Sequence, residues 1–226
     1  MTYIPDLDAS KPRPRLPRTL DPIELRILGS LAEKQLTTPE YYPLTLNALL
    51  AACNQKSNRE PVTELGEAEV QRALDRLQDE KLVWKVMGGR AVRFDHNMDK
   101  VWHLNRPEKA VLTLLFLRGP QTSGELRGRS ERLHQFASVA EVEETLREMA
   151  AHSEPLVRQL PRRPGQKEER WATTAGGAIV ETYSEPAPEA ASPSHGEPLS
   201  ARVTRLESRI EELAAALAEL KGKLGE

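Results

Sequence analysis

The sequence predicts a mainly α-helical fold with small β-hairpins (α+β), arranged as two tandem winged helix-turn-helix domains followed by a C-terminal coiled-coil helix. Three observations lead to this prediction. A pattern of three short amphipathic helices and a hairpin occurs twice between residues 21 and 183. A heptad spacing of apolar residues occupies residues 200–226. Aromatic residues form only 4% of the 226 residues, which indicates small helical cores.

The composition disfavours several functional classes. A formal net charge of −2 gives no global attraction to nucleic acid or to an anionic membrane, so such binding would need local basic patches. The single cysteine, Cys53, excludes an intrachain disulfide and favours a cytoplasmic protein. The first residues lack the pattern of a signal peptide, and no apolar run approaches the roughly 18 residues of a membrane span. We therefore expect no membrane association.

The first predicted domain covers residues 21–104 and follows a basic arm, residues 1–20. The arm is rich in proline and arginine, so we expect it to be flexible. Asp21, Pro22 and Glu24 form a capping-box pattern that predicts the start of a helix, which we expect to end near residue 36.

The remaining elements of this domain follow from hydrophobic spacing. Two helices carry apolar residues at positions i, i+3, i+4 and i+7, namely Leu46, Leu49, Leu50 and Cys53 in one and Val70, Ala73, Leu74 and Leu77 in the other. The period then changes to alternation in Leu82–Met87 and Arg90–Phe94, on either side of Gly88-Gly89. Three helices and a hairpin are the elements of a winged helix.

The second predicted domain covers residues 105–183 and has the same elements. Pro107 opens its first helix, and capping patterns at Thr122 and Ser138 open the second and third. Leu156–Leu160 and Arg170–Thr173 are expected to pair as a longer and less regular wing.

The C-terminal part is predicted to be a linker and an oligomerisation helix. Residues 184–199 are rich in Pro, Ala, Ser and Glu, which is typical of a flexible linker. The helix over residues 200–226 has a seam formed by Val203, Leu206, Ile210, Leu213, Leu217, Leu220 and Leu224. An isolated helix of this length is marginal in water, so we expect it to form a homo-oligomer, with a dimer favoured. The alternative is that it folds back onto its own domains.

Several motifs identify a resemblance to a known family. They are Glu33–Gln35, Thr38–Leu44, Ala52–Val62, Leu117–Arg127 and Leu160–Trp171. Together they resemble the YceH-like family of bacterial proteins over about residues 20–175. The resemblance implies a tandem winged-helix fold and brings no catalytic residues.

Duplex DNA is the first predicted partner, although the third helix of each domain resists it. A winged helix usually places its third helix in the major groove, yet here both third helices carry more acidic than basic residues and would repel phosphate. The wings, the N-terminal arm, the second helix of domain two and the segment before the first of these third helices are basic instead, so we expect a DNA-associated protein of regulator type that binds mainly through the wings and the arm. The candidate nucleic-acid-binding residues are Lys56, Ser57, Asn58, Arg59, Lys85, Arg90, Arg93, Arg127, Arg129, Arg162, Arg163 and Lys167. Turn formation, a pairing of Arg59 with a nearby Glu, and ordinary solvation of a hairpin are the competing explanations.

A basic protein is the alternative partner, docked on the acidic third helices. Enzymatic function is not expected, because no nucleophile elbow, phosphate-binding glycine loop or zinc-hydrolase motif is present. No cofactor or metal is expected either. The Asp95–Asp99 segment begins like a calcium loop, but Lys100 replaces the required glycine and Arg106 replaces the final glutamate.

Overall fold

The structure, a computed structural model, describes residues 18–88, 91–162 and 168–177, which belong to one compact unit. It has a mixed α/β fold of helices and small antiparallel sheets. The elements are α1 (Pro22–Thr37), a 3-10 turn (Pro39–Tyr41), β1 (Leu44–Thr45), α2 (Leu46–Cys53), α3 (Glu67–Asp79), β2 (Val83–Gly88), β3 (Ala91–His96), α4 (Met98–Val101), α5 (Arg106–Arg118), α6 (Ser123–Ser130), α7 (Val139–Ala151), β4 (Val157–Leu160) and β5 (Arg170–Thr173). The predicted linker and coiled coil lie outside the described residues, so they stay predictions.

The first helix forms where its capping signals predict. The Asp21 carboxylate accepts from the Glu24 backbone N–H, and the Glu24 carboxylate accepts from the Asp21 backbone N–H, at 2.8 Å each. The apolar face of α1 is fully buried at Ile27, Leu28 and Leu31. The prediction of this helix is therefore confirmed, because local capping and burial favour the same conformation.

Residues 18–20 belong to the folded unit and not to the flexible arm to which the sequence assigns them. Arg18 forms ion pairs with Glu24 at 2.8 Å and with Glu80 at 3.1 Å. The side chain of Leu20 is in the hydrophobic core, and its backbone N–H donates to the carbonyl of Ala175 at 2.8 Å. The predicted arm is thus wrong at its C-terminal boundary, because its last residues bury an apolar side chain.

The first hairpin lies in a three-stranded antiparallel sheet with the order β1-β3-β2. Leu44 of β1 pairs with Phe94, and Gly88 pairs with Ala91 at the far end of β2 and β3. The hairpin is confirmed, but the sequence places Gly88 in the turn, whereas it is the last residue of β2. Glycine accepts both conformations, so spacing alone could not locate the turn.

The second half repeats the order of the first, including its short first strand. Gln121 forms an isolated antiparallel bridge with Trp171 of β5. This bridge occupies the place that β1 has in the first half, directly before a threonine N-cap. Thr45 caps α2 by accepting from a backbone N–H, and Thr122 caps α6 in the same way. The same series of helices, bridge strand and hairpin therefore occurs twice.

The buried side chains of the two halves form a single cluster, so the halves are not independent bodies. Helix α1 packs against α5 at the centre of this cluster. At Gly29 of α1, an added Cβ would lie 2.9 Å from Leu117 Cγ and 3.0 Å from Phe116 Cβ of α5. Trp102, fully buried, contacts Phe116 edge to face beside this crossing. A residue without a side chain is needed where the helices meet.

Candidate functional site

The first candidate surface is the exposed side of α3. Its buried face consists of Val70, Ala73, Leu74 and Leu77, as the sequence predicts. The remaining surface exposes Glu67, Glu69, Asp75 and Asp79. Arg76, one of the two exposed bases on this helix, is engaged in ion pairs with Asp21 and Glu24. The solvent face of α3 therefore carries excess negative charge, which would repel the DNA backbone.

A cleft of about 430 Å³ lies between the first hairpin and the start of α2, and α3 contributes one residue to its lining. It is lined by Thr45, Leu46, Asn47, Gln71, Lys85, Ala91, Val92 and Phe94. Gln71 lies on α3, one helical turn from Glu67 on one side and from Asp75 on the other. The lining is apolar at Leu46, Ala91, Val92 and Phe94 and carries the positive charge of Lys85, whereas Glu67 and Asp75 lie outside the lining on α3.

The hairpin exposes apolar side chains at the open end of this cleft. Met87 and Val92 are directly opposite each other in the sheet, and their side chains are on the face that lines the cleft. Met87 is 83% exposed and Val92 is 40% exposed. These two exposed side chains are apolar and were not among the predicted nucleic-acid contacts. We name this surface the wing-1 cleft. It consists of the cleft, the exposed side chains of Met87 and Val92, and the nearby acids Glu67 and Asp75.

Two of the three cations predicted on the first hairpin, Lys85 and Arg93, have partners among the described residues. Lys85 Nζ lies 3.7 Å from an Asp75 carboxylate oxygen. Arg93 donates to the backbone carbonyl of Pro43 at 2.7 Å. Arg90 lies outside the described residues. The charge of Lys85 is therefore partly balanced, and Arg93 serves to hold the segment before β1.

The predicted Arg59 contact with nucleic acid is wrong, because this side chain is buried. Its guanidinium is 0% exposed and pairs with Glu33 at 2.6 Å. It also donates to the carbonyl of Ala52 at 3.0 Å and to Gln55 Oε1 at 2.9 Å. Lys56, Ser57 and Asn58 are exposed on the same segment, so only these three stay available to a ligand.

The predicted residues of the second half are dispersed. Arg127 donates to the carbonyl of Ala137 at 3.2 Å, and Arg129 donates to Gln121 Oε1 at 2.7 Å. Arg162 is exposed at the end of the second hairpin. Arg163 and Lys167 lie outside the described residues. DNA binding through this wing therefore stays a prediction.

A buried polar network joins the two halves at the N-terminal end of α5. Lys109 Nζ donates to Gln35 Oε1 at 2.8 Å and contacts Asp99 Oδ2 at 2.6 Å. His96 Nε2 lies 2.9 Å from the same Gln35 oxygen, which is an acceptor. His96 Nε2 therefore carries the proton in the neutral ring, and Nδ1 is buried with no partner among the described residues. The sequence did not predict this network.

Acid is expected to destabilise the fold through His96. Burial lowers the pKa of His96 from 6.5 to about 4, with Lys109 adding to the effect and Asp99 opposing it. Because the unfolded state binds the proton more tightly, stability is lost as the pH falls from about 6.5 towards 4. At pH 5 the loss is about 2 kcal/mol. Urea unfolding at several pH values should give this slope, and a His96→Gln variant should have a flatter one. An unchanged slope in the variant would contradict the assignment.

A second junction, at the C-terminal end of α5, brings two of the quoted motifs together. The Glu60 backbone N–H donates to the carbonyl of Leu117 at 2.8 Å, and Arg118 Nη2 donates to Asn58 Oδ1 at 2.5 Å. Asn58 has a positive φ of 59°, which asparagine tolerates better than most residues. Sequence reasoning selected Asn58 but missed Arg118, since residues separated by 60 positions carry no spacing signal.

Comparisons with known proteins show which family the chain belongs to. A family model described as a protein of unknown function, DUF480, matches residues 20–166. The chain belongs to this family. The predicted resemblance to YceH-like proteins is thereby confirmed.

Three UPF0502 proteins illustrate the range of DUF480 relatives. The protein of Opitutus terrae is 51% identical over 173 residues, which cover 75% of each chain. The protein of Burkholderia ambifaria is 44% identical over 230 residues, which cover 100% of this chain and 96% of its own. The protein of Dechloromonas aromatica is 48% identical over 202 residues, which cover 87% and 93% respectively.

Two further features of this DUF480 chain bear on function. Cys53 is fully buried, and burial raises the pKa of its thiol to about 11, so it belongs to the core as the sequence predicts. Within residues 18–88, 91–162 and 168–177, no helix combines the length and apolarity needed to cross a membrane.

Proposed function

We propose that this chain is a non-enzymatic protein-interaction module built from two tandem winged-helix domains. The wing-1 cleft would bind a basic segment of a partner protein, and at least one apolar side chain of that segment would insert into the cleft. The repeated order of helices, bridge strand and hairpin supports the tandem arrangement. The observation that carries the binding proposal is the exposure of Met87 and Val92 beside an acidic helix.

The exposed side chain of Met87 is the reason to expect an apolar side chain in the partner. A methionine side chain that is 83% exposed is costly to hydrate and adapts its shape to different apolar partners. Val92 and the cleft floor extend the same apolar surface towards Leu46 and Phe94. A partner side chain inserted here would remove this surface from water.

The acidic residues of α3 beside the cleft are the reason to expect basic residues in the partner. Glu67 and Asp75 lie on either side of Gln71 on α3. Lys85 balances part of the Asp75 charge, so the two carboxylates together exceed the charge of this lysine. Glu69 and Asp79 extend the negative surface along α3. A partner with lysine or arginine beside its apolar residue would associate faster and with higher specificity than an acidic one.

The proposal is tested by selecting a random library of 12-residue peptides on the full chain in nuclease-containing buffer. We expect the selected peptides to combine net positive charge with a large apolar residue. The double variant Met87→Ser, Val92→Ser should lose at least about tenfold in affinity for them, since most of the apolar contact is removed. Fluorescence anisotropy of a selected peptide measures the change.

Matched controls distinguish the cleft from other exposed surfaces. Tyr41 is 70% exposed outside the cleft lining, so Tyr41→Ser should leave peptide affinity unchanged. Charge reversal by Glu67→Lys with Asp75→Lys should weaken binding, whereas Glu148→Lys on α7 should not. Selection of acidic peptides, or equal binding by the Met87→Ser, Val92→Ser variant, would refute the proposal. Self-association that this variant abolishes would instead assign the cleft to a second copy of the chain.

A further inference from the structure

The junction at the C-terminal end of α5 brings two arginine side chains, Arg118 and Arg129, into hydrogen bonds with neutral amide oxygens. Arg118 Nη2 donates to Oδ1 of the neutral Asn58 amide at 2.5 Å. Arg129 is held at the same turn by Gln121 Oε1 at 2.7 Å, with Glu125 at the longer distance of 3.5 Å. Two guanidinium groups are thus positioned largely by neutral oxygens.

The electrostatics of Arg118 agree with this geometry. Burial lowers the pKa of Arg118, and the positive charges of Arg129 and Arg59 lower it further. Glu60 and Glu33 oppose the effect. An added anion close to Arg118 and Arg129 would be attracted by both guanidinium charges.

The interior beneath this surface adds positive charge. Arg26 is buried and donates to the carbonyls of Cys53 and Pro61 at 3.3 and 2.7 Å, without a carboxylate partner among the described residues. Its Nε atom is buried and has no partner among them. Arg59, also buried, is balanced by Glu33. The segment from Cys53 to Pro61 therefore lies over one neutralised and one unneutralised guanidinium.

We propose that Arg118 and Arg129, together with the exposed segment Lys56, Ser57 and Asn58, form a binding site for a phosphate group. The planar guanidinium matches a phosphate with two parallel N–H···O bonds, and the Asn58 amide and Ser57 hydroxyl supply neutral donors. Lys56 is exposed two residues before Asn58 and would contribute a further positive charge. The ligand is a phosphate ester, carried either by a nucleotide or by a nucleic-acid backbone. This site is separate from the wing-1 cleft and does not depend on the function proposed for it.

The test measures phosphate binding by the full chain. Inorganic phosphate, ADP and a random-sequence DNA duplex are titrated calorimetrically at matched ionic strength, the duplex at two salt concentrations. We expect binding of at least one probe, weakened at least about tenfold by Arg118→Gln and by Arg129→Gln. Arg118→Lys should weaken it less, because the charge is kept while the fork geometry is lost. ADP binding without duplex binding would identify a nucleotide as the source. Salt-dependent duplex binding would identify a nucleic-acid backbone.

Arg147→Gln is the control, since Arg147 is an exposed arginine of α7 paired with Glu143. It should not change the affinity for any probe. Thermal melting of each variant checks folding, and Arg129→Gln, at a partly exposed side chain, keeps the test decisive if Arg118→Gln does not fold. Absence of binding to all three probes, or equal affinities in wild type, Arg118→Lys and Arg129→Gln, would overturn the proposal.

Discussion

Replacing Glu33 with glutamine is expected to destabilise the protein by about 3 kcal/mol or more, because it leaves the Arg59 guanidinium charged and buried without a counterion. The Arg59 side chain is 0% exposed and the Glu33 side chain 14% exposed, so water cannot replace the lost carboxylate. The loop from Asn54 to Arg59 is held to α1 through this pair. Chemical denaturation followed by circular dichroism should measure the loss.

Two comparisons separate the buried charge from a general loss of contacts. The double variant Glu33→Leu, Arg59→Met should recover part of the stability, since it removes both charges. Arg147→Gln should cost less than about 0.5 kcal/mol, because its pair with Glu143 is exposed and lies within one helix. A Glu33→Gln protein as stable as the Arg147→Gln protein would show that Arg59 finds adequate solvation without its acid.

Replacing Gly29 with valine is expected to cost about 3 kcal/mol by forcing α1 and α5 apart. The new Cβ alone would lie 2.9 Å from Leu117 Cγ and Cδ2, and its two methyl groups would need further space. Phe116 Cβ, at 3.0 Å, limits movement on the other side. For a chain of this size the loss corresponds to a melting temperature lower by roughly 6–12 °C.

Gly128 provides the matched control for Gly29. It is also inside a helix, but a Cβ added there would meet no atom within 4 Å. Gly128→Ala should therefore stabilise the protein by about 0.5–1 kcal/mol through helix propensity alone. If Gly29→Val melted at the wild-type temperature, the close packing of α1 on α5 would have to be given up.

The sequence predicted elements well wherever local signals agreed with burial. The capping pattern at Asp21 and the apolar stripes of α2 and α3 are found as expected, because each depends on residues within two helical turns. It missed α4, a four-residue helix too short to have a period. It also assigned Leu20 to a flexible arm, since one apolar residue among prolines gives no pattern.

The candidate sites were harder to predict, because their properties depend on partners distant in sequence. Spacing selected Arg59 as a ligand contact, but its carboxylate partner lies 26 positions earlier on α1. Arg118 was passed over as the last residue of a helix, and only the fold brings it to Asn58. The position of Met87 depends on strand register, which decides whether its side chain is on the cleft face or the opposite one.

The bond from Leu20 to Ala175 also has a topological consequence. The backbone enters and leaves the described unit at one corner, where an added Cβ on Gly177 would lie 2.8 Å from Thr19 Cγ2. Any segment preceding residue 18 and any segment following residue 177 therefore set out from adjacent points. A short peptide joining residues 18 and 177 would therefore close the described unit into a ring without crossing its surface.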